Sequence, residues 1–211
     1  MGRLAFLPCI LAAACVSIPP GALKPARTYT PHLDRLSVAG FQGSQWVQTG
    51  AQVGSLASPS LGLYGYSIAV SGQIVPTNDL AAMRYALENT GCIDVVEEGM
   101  AAPVRLEGTA DAEDRTGVRW VPIIVESCTL LPLVGLPVPD RVASSATGRL
   151  YRNGRPVKNY EVQEEFPYWT TLYPVDRDHG RALAIVRGMA LRDLADQVAA
   201  DLCAGGSEGV Q

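Results

Sequence analysis

Between Tyr64 and Ile74 the chain alternates. Tyr64, Tyr66, Ile68, Val70 and Ile74 are apolar, while Gly65, Ser67, Ser71 and Gln73 fill the odd positions. A period of two is the geometry of a strand with one buried face, and no helix can use it. The same period returns at Val104, Leu106, Gly108 and Ala110, set against Arg105, Glu107, Thr109 and Asp111. Residues 92–96 are a further strand. Residues 118–127 are apolar on both faces through Trp120, Val121, Ile123, Ile124 and Val125, the mark of a central strand, and Pro122 within them calls for a bulge. Asn153-Gly154 separates two more strands, 142–151 and 156–166. A two-residue turn there would set Leu150 and Ala146 opposite Val157 and Glu161. A three-residue turn with Gly154 left-handed instead aligns Ala146 with Tyr160 and Ser144 with Val162. The second register is preferred because it keeps one face apolar.

Two segments break this period. Pro76-Thr77-Asn78-Asp79 offers capping side chains, Leu80, Met83 and Leu87 follow at helical spacing, and Gly91 ends the run, which predicts a helix over 79–90. A closing helix is predicted over 178–203, with a stripe of Leu183, Val186, Ala190, Leu194, Val198 and Leu202 and an Arg192–Asp196 pair on its wet side. Residues 32–60, rich in Gly, Ser and Gln, read as loop with one short hairpin. The expectation is an α+β fold, a mostly antiparallel sheet with two helices packed on one face. The 15 prolines, 21 glycines and 7 % aromatics agree with short strands and many turns. The expected divisions are 1–14 as signal peptide, 15–60 as lipidated cysteine, tether and loop, 61–204 as the folded domain, and 205–211 as a disordered tail.

Met1-Gly2-Arg3 is a short basic start, and Leu4–Ala14 is an apolar run of eleven residues ending in small side chains, the layout of a secretory signal. Leu11-Ala12-Ala13-Ala14-Cys15 resembles the lipobox of bacterial lipoproteins, although Ala12 stands where that family carries Leu. The resemblance implies acylation of Cys15 and cleavage before it. Ala12-x-Ala14 also fits an ordinary signal peptidase site, so a soluble periplasmic product is the alternative. Residues 16–31, with Pro19, Pro20, Pro25 and Pro31, read as an extended tether. Val16 after the cysteine, in the sorting pattern of such lipoproteins, implies the outer membrane, facing the periplasm. Three fatty chains on one residue would anchor the chain stably. No other segment is expected to span a bilayer, which takes about 20 apolar residues as a helix. Residues 79–98 resemble the helix, glycine, strand unit of periplasmic α+β lipoprotein domains related to the curli secretion lipoprotein and to the amino-terminal domain of TolB.

The whole chain carries a formal charge of −4, and loss of Arg3 with the signal makes the mature chain −5. Nucleic acid, which rewards clustered Lys and Arg, is not an expected partner. Cys92, Cys128 and Cys203 remain in an oxidising compartment, so at most one disulfide can form within the chain, and the sequence does not choose the pair. His179 beside Asp176 and Asp178 reads as a helix start, because adjacent residues cannot converge on one metal. Glu164-Glu165 and Glu97-Glu98 diverge on a strand. No nucleophile elbow, phosphate loop or zinc helix is present, so neither catalysis nor a cofactor is expected.

Thr129–Pro139 sets Leu130, Leu131, Leu133, Val134, Leu136 and Val138 among three prolines, which hinder strand pairing. It either folds back on its own domain or offers apolar groups to a partner. Trp169, in Phe166-Pro167-Tyr168-Trp169, is a second contact candidate. The function expected is that of an accessory envelope lipoprotein, held to the membrane by lipid on Cys15 and binding another envelope protein. A carrier or sensor of an apolar ligand is the alternative, and a soluble periplasmic enzyme the third.

Overall fold

The computed structural model describes residues 18–27, 29, 34–58, 63–97, 100, 102–114, 138–170 and 177–204. After a 3-10 turn at Pro20–Leu23 come β1 (Asp34–Gly40), β2 (Gln42–Ser58), β3 (Leu63–Asn78), α1 (Leu80–Asn89), β4 (Ile93–Val96), β5 (Val104–Asp114), β6 (Val138–Arg152), β7 (Arg155–Thr170) and α2 (Arg177–Ala204). Residues 79–96 thus follow helix, glycine, strand order. The proposed central strand at 118–127 and the tail at 205–211 lie outside the described residues.

The sheet is mixed and not mostly antiparallel. β5 pairs antiparallel with β6, and β6 with β7, but β1 and β2 both run parallel to β5. The segment read as loop, 32–60, supplies these two strands. It was missed because Gly, Ser and Gln dilute its apolar alternation, and partners distant in sequence make it a strand. With β6 on one edge of β5, β1 and then β2 occupy the other, and their own outer edges take β4 (parallel) and β3 (antiparallel).

The β1–β2 path bends at Gly40 and Phe41, both left-handed, with φ of 80° and 49°. Such a φ is costly for a residue with a side chain. Phe41 nevertheless donates its N–H to the Gly108 carbonyl (2.7 Å), accepts from the Asp79 N–H (2.8 Å) and buries its ring completely. The ring lies over Gly108, where an added Cβ would come within 2.8 Å of it.

Even-numbered positions of β1, β5 and β6 (Leu36, Val38, Leu106, Ala110, Ala146 and Leu150) face the helices and are buried. Met83 and Leu87 of α1 and Ala190, Leu194, Val198 and Leu202 of α2 meet them, while Leu183 and Val186 of the predicted stripe pack in a second cluster with Ala112, Val142 and Tyr168, and the helices also pack on each other. On α2, Leu191, Ala195 and Ala199 are buried as well, and the supposed tether packs on the same helix. Leu23 is buried, Ile18 and Ala22 pack where Gly188 has no side chain, the Ala26 N–H donates to Asp196 (2.9 Å), and Tyr29 Oη donates to the Asp196 carbonyl (2.9 Å). Residues 18–29 are therefore part of the domain. Asp196 is taken by this segment, and Arg192 pairs with Asp193 instead.

The preferred three-residue turn, with Ala146 opposite Tyr160 and Ser144 opposite Val162, does not form, and the two-residue register holds only beside the turn. Asn153 (φ 51°) and Gly154 (φ 77°) form a two-residue turn with Arg152 opposite Arg155. A bulge around Val157, which is 60 % exposed, then shifts the pairing to Leu150–Lys158, Ala146–Val162 and Ser144–Glu164. One inserted residue restores the apolar face that the register argument required, at the strand and not in the turn. At the foot of β3 the alternation does not mark a buried face, since Ile74 is 72 % exposed.

Cys92 and Cys203 are joined by a disulfide that ties the start of β4 to the end of α2 across 111 residues of chain. Replacing both by Ser should cost about 2–5 kcal/mol, lowering Tm in a thermal melt by about 4–20 °C. An unchanged melt would show that packing alone holds this corner.

Candidate functional site

The ends of β2 and β3 nearest α2 assemble a buried polar cluster. Asp79 follows β3 and precedes α1, and the Phe41 carbonyl holds its backbone N–H. Its side chain makes no cap bond to the helix; the Asn78 carboxamide accepts the Leu80 N–H at 3.2 Å instead. Freed from capping, Asp79 forms an ion pair with Arg187 of α2 at 3.2 Å and accepts from the Thr77 hydroxyl at 3.0 Å. Arg187 also donates to Gln45 of β2 at 2.8 Å. Asp79 and Arg187 are both buried. Burial pushes the Asp79 carboxyl upward, against the pull of Arg187, and lowers the Arg187 guanidinium, against the pull of Asp79.

Beside this pair, His179 is buried and not simply a helix start. Its Nδ1 lies 2.6 Å from Tyr168 Oη, and its ring meets the edge of Trp46 at 6.0 Å. Where β2 leaves β5, Asp111 accepts both the backbone N–H and the hydroxyl of Ser44 at 2.7 Å. These contacts fasten β2, β3, β7 and α2 together at one end of the sheet. What the arrangement does chemically is clamp: each charged or polar group is spent on another element. No spacing in the sequence joins Gln45, Asp79 and Arg187, and the one available signal was an arginine inside the apolar stripe of α2.

Cys15, Leu130, Leu131, Leu133, Val134 and Leu136 lie outside the described residues. Val138 and Pro139 are already in β6, opposite Thr170 and Trp169, so the Thr129–Pro139 segment ends as paired strand; proline is tolerated near a strand's start. The sheet thereby sets the ends of the two predicted contact segments side by side. Phe166–Trp169 belongs to β7 and not to a loop; Tyr168 points into the core and Trp169 is 65 % exposed. The face of the sheet away from the helices carries two shallow concavities of about 820 and 630 Å³, lined by groups such as Arg105, Glu107, Arg149 and Tyr151. Their charges are already engaged, Arg105 with Glu107 and Arg149 with Asn159.

No protein-family model matches the chain, and no curated protein matches it in sequence. Among solved structures it is similar to a Xanthomonas campestris protein of the family DUF330, with 14 % identity and a TM-score of 0.43 over 88 % of this chain and 92 % of that one. It is similar to a Caulobacter crescentus CB15 protein described provisionally as a lipoprotein, with 14 % identity and a TM-score of 0.33 over 61 % and 80 %. It is also similar to a Helicobacter pylori protein described as a homologue of the neuraminyllactose-binding haemagglutinin, with 8 % identity and a TM-score of 0.38 over 87 % and 89 %. At these values none of them assigns a family or an activity to this chain.

The clamp makes a prediction. Asp79→Ala strands a buried guanidinium and should cost about 3–5 kcal/mol, whereas Asp79→Leu with Arg187→Met removes both charges and should recover most of that loss. Urea denaturation of the two variants measures the difference. A double variant no more stable than the single one would contradict the ion-pair account.

Proposed function

We propose that this chain is an acylated envelope lipoprotein, hung from a membrane through Cys15 and acting as a non-catalytic accessory that binds another envelope component. The observation that carries the reading is the apolar run Leu4–Ala14 ending in small residues before Cys15. The packing of Ile18 on α2 supports it, because only Val16 and Ser17 would separate the acylated cysteine from the folded domain. The domain would then sit close to the lipid surface instead of at the end of a long tether. Trp169, exposed beside the start of β6, supports contact with a partner, since aromatic side chains are enriched where binding energy concentrates. Outer-membrane placement follows from Val16 in the sorting pattern stated above.

Mass spectrometry of the mature chain should find an acylated Cys15, and Cys15→Ser should move the protein to the soluble fraction or stall its processing. An unmodified N-terminus removes the anchor. A photo-crosslinker in place of Trp169 should give one discrete adduct with another envelope protein in intact cells, while the same group in place of exposed Arg149 should not. Equal labelling from both positions would argue against a contact surface at Trp169.

A further inference from the structure

From Arg149 to Lys158 the chain holds four cations, Arg149, Arg152, Arg155 and Lys158, and no acid, although its overall formal charge is −4. This run is the end of the β6–β7 hairpin, where every residue from Arg152 to Asn159 is exposed. Two of the four are engaged: Lys158 pairs with Asp201 of α2, and Arg149 donates to the neutral Asn159. Arg152 and Arg155 have no hydrogen bond or ion pair among the described residues, and they stand directly opposite each other across the Asn153-Gly154 turn. Like charges so placed cost stability. The turn itself needs only the Asn and the Gly, so the fold does not account for the two arginines.

The hairpin end is held in place. The Asn153 N–H donates to the Pro103 carbonyl at 2.8 Å, which fixes the turn against the chain entering β5. Beside Gly154, Arg105, Tyr151, Pro103 and exposed Met100 line the concavity of about 630 Å³. A guanidinium presents a planar fork of donors that matches a carboxylate, and two of them on a fixed turn make a pre-organised end for carboxylates. Its direction is defined by α2. Lys158 meets that helix at Asp201, whereas Ile18 packs at Gly188, about 20 Å away along the axis. From Ala26 beside Asp196 to Ile18 the chain runs away from the hairpin end, and the three residue steps back to Cys15 span about 10 Å at most. The arginines therefore point away from lipid on Cys15.

We propose that the end of the β6–β7 hairpin binds the cell-wall polymer, a glycan whose short peptides carry free carboxylates, through Arg152 and Arg155, with the Tyr151 and Met100 concavity taking the uncharged part of the chain. Three observations choose this occupant. The cations come from both faces of the hairpin, Arg149 from the face away from the helices and Lys158 from the face toward α2, so charge surrounds the end and suits a flexible, hydrated anion. A protein interface of standard size buries about 800 Å² per partner around an apolar centre, whereas Val157 is the only large hydrophobic exposed among the described residues of this run. A membrane surface lies in the opposite direction. That last argument rests on the anchor of the accessory reading, and the charge complementarity does not.

The test sediments the mature full-length chain, carrying Cys15→Ser so that no lipid is present, with purified wall sacculi. The chain should be retained, and retention should weaken with added salt. Arg152→Gln with Arg155→Gln should lower it about tenfold or more, since charge-assisted bonds are lost, and sacculi whose carboxylates are capped as neutral amides should retain only background. Arg152→Glu alone should leave Tm unchanged or raise it, because it sets opposite charges across the turn. Absent retention overturns the proposal, as does undiminished retention of the double variant or on capped sacculi, or a sharp fall of Tm in Arg152→Glu. Phosphatidylglycerol vesicles and polyglutamate stand for a membrane and for an acidic protein segment: vesicles that retain the chain as well as sacculi do, or polyglutamate that competes as well as soluble wall fragments, also overturn it. The accessory reading is judged apart: an acylated Cys15 and an adduct at Trp169 without sacculus binding keep that reading and lose this one, and sacculus binding with an unmodified N-terminus does the reverse.

Discussion

The left-handed turn at Gly40 and Phe41 is where a single path of chain is divided between two tasks. A phenylalanine with positive φ is tolerated because its ring fills the space above Gly108 while both of its backbone groups bond to other strands. Before the bend, β1 is an interior strand between β4 and β5; after it, β2 touches β5 once in register and departs with β3. The same residue sets the backbone of Asp79, so the bend also decides where α1 begins and where its first carboxylate can reach.

That carboxylate ties the bend to α2. A buried ion pair contributes little net stability over apolar packing, yet removing either half is costly, and such a pair therefore specifies an arrangement more than it strengthens one. Arg187 reaches β2 through Gln45 and the β3–α1 junction through Asp79, which fixes the helix against both strands. Far along α2, the disulfide to Cys92 and the contacts of Asp201 with Lys158 and Tyr160 hold the opposite end. The helix is a spine fastened at both ends, and residues 18–29 close over its remaining side.

The molecule is polarised as a result. One end carries the Asn153-Gly154 turn, the disulfide and the Lys158–Asp201 pair; the other carries exposed Ile74 and Trp169 and the Arg141–Glu165 pair, and is the direction from which the N-terminal segment arrives. An accessory lipoprotein with its lipid at one end would present that end to the membrane.

The sequence by itself determined the elements whose signal is local. The α2 stripe, the α1 helix with Gly91 behind it, the alternation of β5 and the turn at Asn153-Gly154 are written in spacing over ten to twenty residues, and each formed where expected. Only the tertiary structure decided the parallel entry of β1 and β2, the bulge at Val157, the folding of residues 18–29 onto α2, the choice of Cys92 and Cys203, and the meeting of Gln45, Asp79 and Arg187. Apart from the bulge, each of these depends on groups distant in sequence, up to 170 residues in the Ala26–Asp196 bond, and local propensity carries no information about such partners. Gly and Ser in β2 weaken its strand signal, and the pairing that overrides them is supplied by β3 and β5, by hydrogen bonds that become available once the sheet exists.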